Sequence, residues 1–324
     1  MAITLEQAKL NTQTDYDPTI IDEFRKSSAI LDSLVFDTAV NPAGGGATLS
    51  YGYRRLKTQR GAAFRELNHE YTPEHVETEQ LTVNLAPIGG SFQIDRVLAH
   101  LGQATSDEVS LQIAQTIKAS TAKFADAVIN GDIAQDANGF DGLDKALLGS
   151  TTELNAAGSK DWSAFTSADA AMAVLDDLDE LTGALDGPAT MLIGNTRALA
   201  KVRAAARRAN MYVKAPVEGL ADNAGRPIER EQVGNLILID AGAKPGSNDP
   251  IINVAGGLTS LYAVRCGLDG FHAVTTTTGE LVKTWLPDFT TAGAVKTGEV
   301  ELGPVAVALK ATKAAAVLRN VKVA

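Results

Sequence analysis

The spacing of apolar residues changes along the chain, and each change of period marks an element. The clearest stretch is 105–131. Thr105-Ser106-Asp107-Glu108 has the spacing of a capping box, in which the first hydroxyl and the last carboxylate satisfy orphan backbone N–H groups at the start of a helix. Val109, Ile113, Ile117, Phe124 and Val128 then recur at helical spacing, and Asn130-Gly131 supplies a C-cap. The pattern predicts a helix of about 24 residues, ~36 Å long.

Upstream, Asp17-Pro18 sets an N-cap before a proline at the first helical position, and Asp22 and Glu23 suit the positive end of the helix dipole. Ile20, Ile21, Phe24, Leu31 and Leu34 share one face of this arm helix. No neighbouring segment can cover that face, so it is expected to dock on a distant part of the chain or on another subunit. Asn41–Gly46 follows as a hinge, built on Gly44, Gly45 and Gly46. Ala47–Lys57 and Tyr71–Leu85 then read as strands about a turn at Arg60-Gly61, forming a long two-stranded ribbon. Its charges are segregated. Arg54, Arg55, Lys57, Arg60 and Arg65 lie on the outgoing arm and tip, and Glu70, Glu74, Glu77 and Glu79 on the return. Such a ribbon is either a solvated hairpin crossed by ion pairs or an arm reaching onto a neighbouring subunit. The second reading is preferred, because an isolated ribbon is marginal in water and this one has too little apolar content for its own core.

Downstream, Ser91–Leu98 reads as a strand. Gly139-Phe140-Asp141-Gly142-Leu143 lacks the GxxxxGK(S/T) of a phosphate loop and is read as a loop returning Phe140 and Leu143 to the core. A second unit begins near Trp162. Its helix starts at Thr166 or Ser167, before Ala168-Asp169, and runs to about Gly183, with Ala171, Val174, Leu175, Leu178 and Leu181 inward. Thr190–Ile193 is a short buried strand. Asn195 caps a helix over Thr196–Ala209, whose Arg197, Lys201, Arg203, Arg207 and Arg208 read as a solvated face. Tyr212–Arg230 is expected to be a long loop. Leu236–Asp240, Ile251–Val254, Leu258–Val264, Glu280–Leu286, Glu299–Ala311 and Ala315–Val323 read as strands. The last two are expected to pair beside the long helix.

Composition narrows the function. The 324 residues are 45% hydrophobic and 21% charged, enough for a substantial core. The net charge of -10, without a long Lys/Arg run, argues against tight gripping of nucleic acid but not against enclosing it. The single cysteine, Cys266, excludes an intrachain disulfide and a cysteine-based zinc site, and is read as a buried reduced thiol. Met1–Glu6 has no basic, then apolar, leader, and no run of about 18 apolar residues suggests a membrane span; a cytoplasmic protein is expected. His69, His75, His100 and His272 have no metal-ligand spacing, and Asp176, Asp177, Asp179 and Glu180 read as a solvated helix face. No catalytic, cofactor-binding or metal-binding residue is assigned.

The order of elements resembles the HK97-type major capsid proteins of tailed bacteriophages. Phe124-Ala125-Asp126-Ala127-Val128-Ile129-Asn130-Gly131-Asp132, followed by Phe140-Asp141-Gly142-Leu143, resembles that family's exit from its spine helix. Thr190–Asn195 with the basic helix resembles its A-domain strand and helix, and Val305–Val323 its closing strands. The resemblance implies an α+β HK97-type capsid fold. Its parts would be an N-terminal arm over 1–45, an E-loop β-ribbon over 46–84, and a P domain with the spine helix over 85–161. An A domain over 162–279 and a return to the P-domain sheet over 280–324 would follow.

The implied function is structural, not enzymatic: a subunit assembling with itself into the hexamers and pentamers of an icosahedral virion shell around double-stranded DNA. No sequence-specific DNA contact and no membrane are implied. Arg54, Arg55, Lys57, Arg60, Arg65, Glu70, Glu74, Glu77, Phe24 and Leu31 are the candidate intersubunit contacts, with Gly44, Gly45 and Gly46 as the hinge. The resemblance, without a long scaffolding region ahead of the arm, implies either a separate scaffolding protein or removal of such a region elsewhere, beside a portal, during assembly in the bacterial cytoplasm. The alternatives are an encapsulin-like nanocompartment shell and a soluble α/β enzyme.

Overall fold

A computed structural model describes residues 29–38, 48–96, 108–164, 168–221, 227–276 and 281–324. Asp17-Pro18, Phe24, the hinge glycines Gly44–Gly46, His100 and the capping residue Thr105 lie outside the described residues. The chain proceeds through α1 (Ile30–Ser33), β1 (Phe36–Asp37), β2 (Ser50–Leu56), β3 (Thr78–Asn84) and β4 (Ala86–Asp95) to the long helix α2 (Glu108–Asn130). Then come α3 (Leu143–Leu147), β5 (Glu153–Leu154), β6 (Lys160–Asp161), α4 (Ala168–Gly183), β7 (Met191–Gly194) and α5 (Thr196–Arg208). β8 (Tyr212–Ala221), β9 (Pro227–Val233), β10 (Leu236–Asp240), β11 (Leu258–Val264), β12 (Phe271–Thr275), β13 (Val282–Trp285), β14 (Val295–Leu309) and β15 (Ala315–Lys322) complete it.

β14 organises the first sheet. It pairs along one edge with β4, and along the other with β13 and then β12, which carries β1 in parallel. Helix α2 lies on β4 and β14 and buries Phe124, Ala125, Val128 and Ile129. Its first half is less covered: Val109, Ile113 and Ile117 are only partly buried. Ile30 and Leu34 share the core of this helix, so the described end of the arm docks on its own chain.

The second sheet runs β5-β15-β11-β7-β10-β9-β8. Successive side chains of a strand point to opposite faces, and here both faces are buried. Met191, Ile193, Tyr262, Val264, Ala315 and Val317 join the core shared with α2, whereas Leu192, Leu261, Ala263, Ala316 and Leu318 face α4 and α5. Burial on both sides explains why these strands read as continuous apolar runs rather than alternating ones.

Four local expectations change. The described parts of Tyr212–Arg230 are strand, not loop: β8 and β9 pair antiparallel. Ile251–Val254 is not a strand, and Ile251 and Ile252 are buried from a loop. The last strand, β15, pairs with β11, β5 and β6 in the second sheet, while only β14 returns beside the long helix. The ribbon strands are shorter than the predicted Ala47–Lys57 and Tyr71–Leu85, leaving 57–77 outside any strand.

The exit from α2 has a specific backbone requirement. The Gly142 N–H donates to the Gly131 carbonyl at 2.8 Å where two chain segments touch. A Cβ on Gly131 would lie 2.3 Å from the Phe140 carbonyl oxygen, and one on Gly142 2.6 Å from that of Ala127. Glycine alone permits this approach. It lets Phe140 and Leu143 turn back into the core, as the sequence reading expected.

Candidate assembly interface

The ribbon divides into an anchored base and an uncovered tip. Seven residue pairs hold β2 to β3 in antiparallel register, from Ser50↔Asn84 to Leu56↔Thr78. Alternation turns Tyr51, Tyr53 and Arg55 inward. The Tyr53 hydroxyl donates to the Leu309 carbonyl at 2.9 Å, and the Arg55 guanidinium donates to the carbonyls of Lys310 (2.9 Å) and Leu309 (2.8 Å). The Tyr51 hydroxyl donates to Asp37 Oδ2 at 3.0 Å. Burial, and then that bond to Asp37, pushes the Tyr51 phenol up to about 12. The base is thereby fastened to the end of β14 and to β1. No sequence signal pointed to these anchors, because the bonds to Leu309 and Lys310 join residues some 250 positions apart.

Beyond Leu56 the arms are joined mainly by polar contacts. Lys57 and Glu77, both exposed, approach to 3.7 Å. Exposed pairs of this kind contribute about 0–1 kcal/mol. The Gly61 N–H donates to Glu74 Oε2 at 2.9 Å, and the Arg65 guanidinium lies 5.5 Å from the Tyr71 ring centre. Around these contacts Phe64 is 106% exposed and Leu67 87%, and Leu56, Tyr71 and Val76 are exposed too. The tip encloses an open concavity of about 850 Å³ lined by residues from Arg60 to Glu74. A segment with several exposed large apolar side chains and no core fits a contact surface better than a free loop.

The predicted contact residues therefore fall into groups. Arg54, Arg60, Glu70, Glu74 and Glu77 are exposed on the ribbon. Arg55 and Lys57 are engaged within the chain, as is Arg65, which also donates to the Glu66 and His69 carbonyls. Leu31 is partly buried against the core of α2.

Other charged groups serve the fold. Asp177 accepts from Trp162 Nε1 at 2.8 Å and pairs with Lys160 at 2.8 Å, so it is more than a solvated face. On α5, capped by Asn195 as expected, Arg203 pairs with Glu231 at 2.6 Å and Lys201 donates to the Ser163 carbonyl. Arg319 bonds Asp144 at 2.6 Å and also Glu153, while the Tyr262 hydroxyl donates to Asp144. Burial pushes the Cys266 thiol up. Among the described residues no three His, Cys, Asp or Glu side chains are grouped to hold a metal ion, and no helix is long and apolar enough to cross a membrane.

No family model matches the sequence, and no curated protein sequence matches it. Solved structures are similar over the whole chain. The SrpI encapsulin of Synechococcus elongatus PCC 7942 superposes with a TM-score of 0.61 at 17% identity, covering 100% of this chain and 97% of that one. The capsid of Myoviridae phage XM1 gives 0.58 at 12% identity, over 96% and 97%. A Mycobacterium phage Bobi chain gives 0.58 at 14% identity, over 99% of each. The chain thus has the α+β HK97-type fold.

Proposed function

We propose that this chain is the repeating subunit of a closed icosahedral shell, the major capsid protein of a tailed phage, with no catalytic role. The observation that carries the reading is the ribbon: a tip with fully exposed Phe64 and Leu67, held out from an HK97-type fold by an anchored base. Burying each of those side chains contributes roughly 1.5–3 kcal/mol, and a second copy is the partner that makes such burial repeat around a shell. The ribbon (46–84) would lie over the adjacent subunit's P domain, built on α2, β4, β13 and β14, with Arg54, Arg60, Glu70 and Glu74 as rim contacts. The arm (1–45), with Phe24 and Leu31, would tie neighbours, Gly44–Gly46 would let the ribbon swing, and A domains (162–279) would meet at the axes of hexamers and pentamers. The net charge of -10 suits a wall that confines double-stranded DNA without gripping it. Assembly would take place in the host cytoplasm, with a separate scaffolding protein and a portal.

A second reading, an encapsulin-like compartment, is favoured by the full-length likeness to the SrpI encapsulin. Electron microscopy of the purified protein, with analysis of what its particles hold, tests both. Closed shells or hexamers and pentamers support assembly. DNA inside particles from the native source supports the phage reading, and a protein cargo the compartment. A discrete dimer or tetramer at every concentration overturns both.

A further inference from the structure

Of the described histidines, only His272 is buried, and neither of its ring nitrogens has a hydrogen-bond partner. Leaving a buried polar group unpaired is costly, so the position of this one matters. His272 lies on β12 where three parts of the fold meet. Its Nε2 is 3.8 Å from Asp37 Oδ2 on β1. The Tyr51 ring, from the ribbon base, packs edge-on against the imidazole at 5.8 Å. The Lys310 ammonium, just past β14, sits 5.5 Å from the centre of the same Tyr51 ring. Asp269, in the turn before β12, is a further charged group that acts on it. Asp37 Oδ2 is already occupied, because it accepts the Tyr51 hydroxyl.

Protonation would change two things at once. It would place a charge in a site closed to water and near Lys310. It would also turn Nε2 into a donor competing with Tyr51 for Asp37. We propose that His272 is a proton-sensitive latch: neutral, it lets Tyr51 and Asp37 hold the ribbon base against the sheet; protonated, it releases that base.

Burial, reinforced by Lys310, holds the imidazole below its ordinary pKa against the opposite pull of Asp37, the nearby Gly270 backbone, whose contact falls short of a well-formed hydrogen bond, and Asp269. The released form, exposed to water, titrates near the ordinary value of about 6.5. Above that pH both forms are neutral and the latch is unaffected. Below it the released form takes up the proton first, so release becomes more favourable, by up to about tenfold at pH 5.5. The Tyr51 phenol, pushed up to about 12, stays neutral throughout. The effect on assembly rests on the proposed role of the ribbon; the latch itself does not.

Hydrogen exchange of the full-length chain at pH 7.5 and 5.5, corrected for intrinsic rates, measures opening of Ser50–Leu56 and Thr78–Asn84. The wild type is expected to open several-fold to about tenfold more at pH 5.5. His272→Phe, which keeps a ring against Tyr51, and His272→Gln should both remove that difference. A wild-type ribbon base equally protected at both pH values overturns the latch, as does a full pH response in either folded variant. If the protein forms no shell yet exchange depends on His272, the latch stands and the assembly reading fails.

Discussion

Replacing Phe64 and Leu67 together by serine removes the most exposed large apolar side chains among the described residues, at 106% and 87% exposure. Both already face water in the isolated subunit, so their loss should change folding stability by no more than about 0.5 kcal/mol. In an assembly where a neighbour covers them, each contributes roughly 1.5–3 kcal/mol, or about 3–6 kcal/mol per subunit. At about 1.4 kcal/mol per tenfold, the concentration threshold for assembly should rise by at least about 100-fold. Sedimentation velocity over a concentration series reads the threshold, and urea unfolding of the unassembled subunit reads the fold. Shells forming at the wild-type concentration would refute the argument. So would a loss of subunit stability above about 1 kcal/mol, because the tip would then be part of the subunit's own core.

Three further outcomes test the fold. Gly142→Ala sets a Cβ against the backbone of Ala127, Gly131 and Ile129 and should cost about 1–3 kcal/mol in urea unfolding, whereas Gly183→Ala, with open space around it, should be neutral. Arg319→Met leaves the Glu153 side chain, 8% exposed, without its guanidinium partner; a loss of about 3–5 kcal/mol is expected, and adding Glu153→Gln should recover part of it. Asp161 accepts the Ser163 hydroxyl (2.6 Å) and N–H (2.8 Å), with Lys322 at 3.3 Å, and these bonds pull its carboxyl down to about 2. Its folded pKa is depressed, so its stabilisation is present above the ordinary 3.8 and is lost as pH falls through about 2. Carboxyl carbon NMR should show that low midpoint, and Ser163→Ala should raise it.

Elements whose signals are local were legible. Helix α2 follows from its apolar spacing, α5 from Asn195 and its cap bond to the Arg197 N–H, and the return of Phe140 and Leu143 from the glycine-rich exit. The β8–β9 pair was misread because Pro216, Gly219 and Pro227 punctuate it like a loop. The site was half legible. Low apolar content and segregated charge marked the ribbon, but nothing near Tyr53 or Arg55 in sequence predicts that both donate to carbonyls at the end of β14. His272 gave no signal either, since a histidine's value depends on what surrounds it.

Local pattern alone determined the long helix, the two helices of the second unit, the short buried strand at Thr190–Ile193 and where the ribbon is too polar for a core. It did so because those properties depend on residues within a turn or two of one another. Pairing belonged to the tertiary structure. Ala315–Lys322 and Val295–Leu309 are both apolar strands, and either sheet could accept either one. β15 joins β11 because successive residues, Val317 and Leu318, then fill the cores on opposite faces of one sheet. That choice, like the docking of the ribbon base on Leu309 and Lys310, depends on the space left by the rest of the chain.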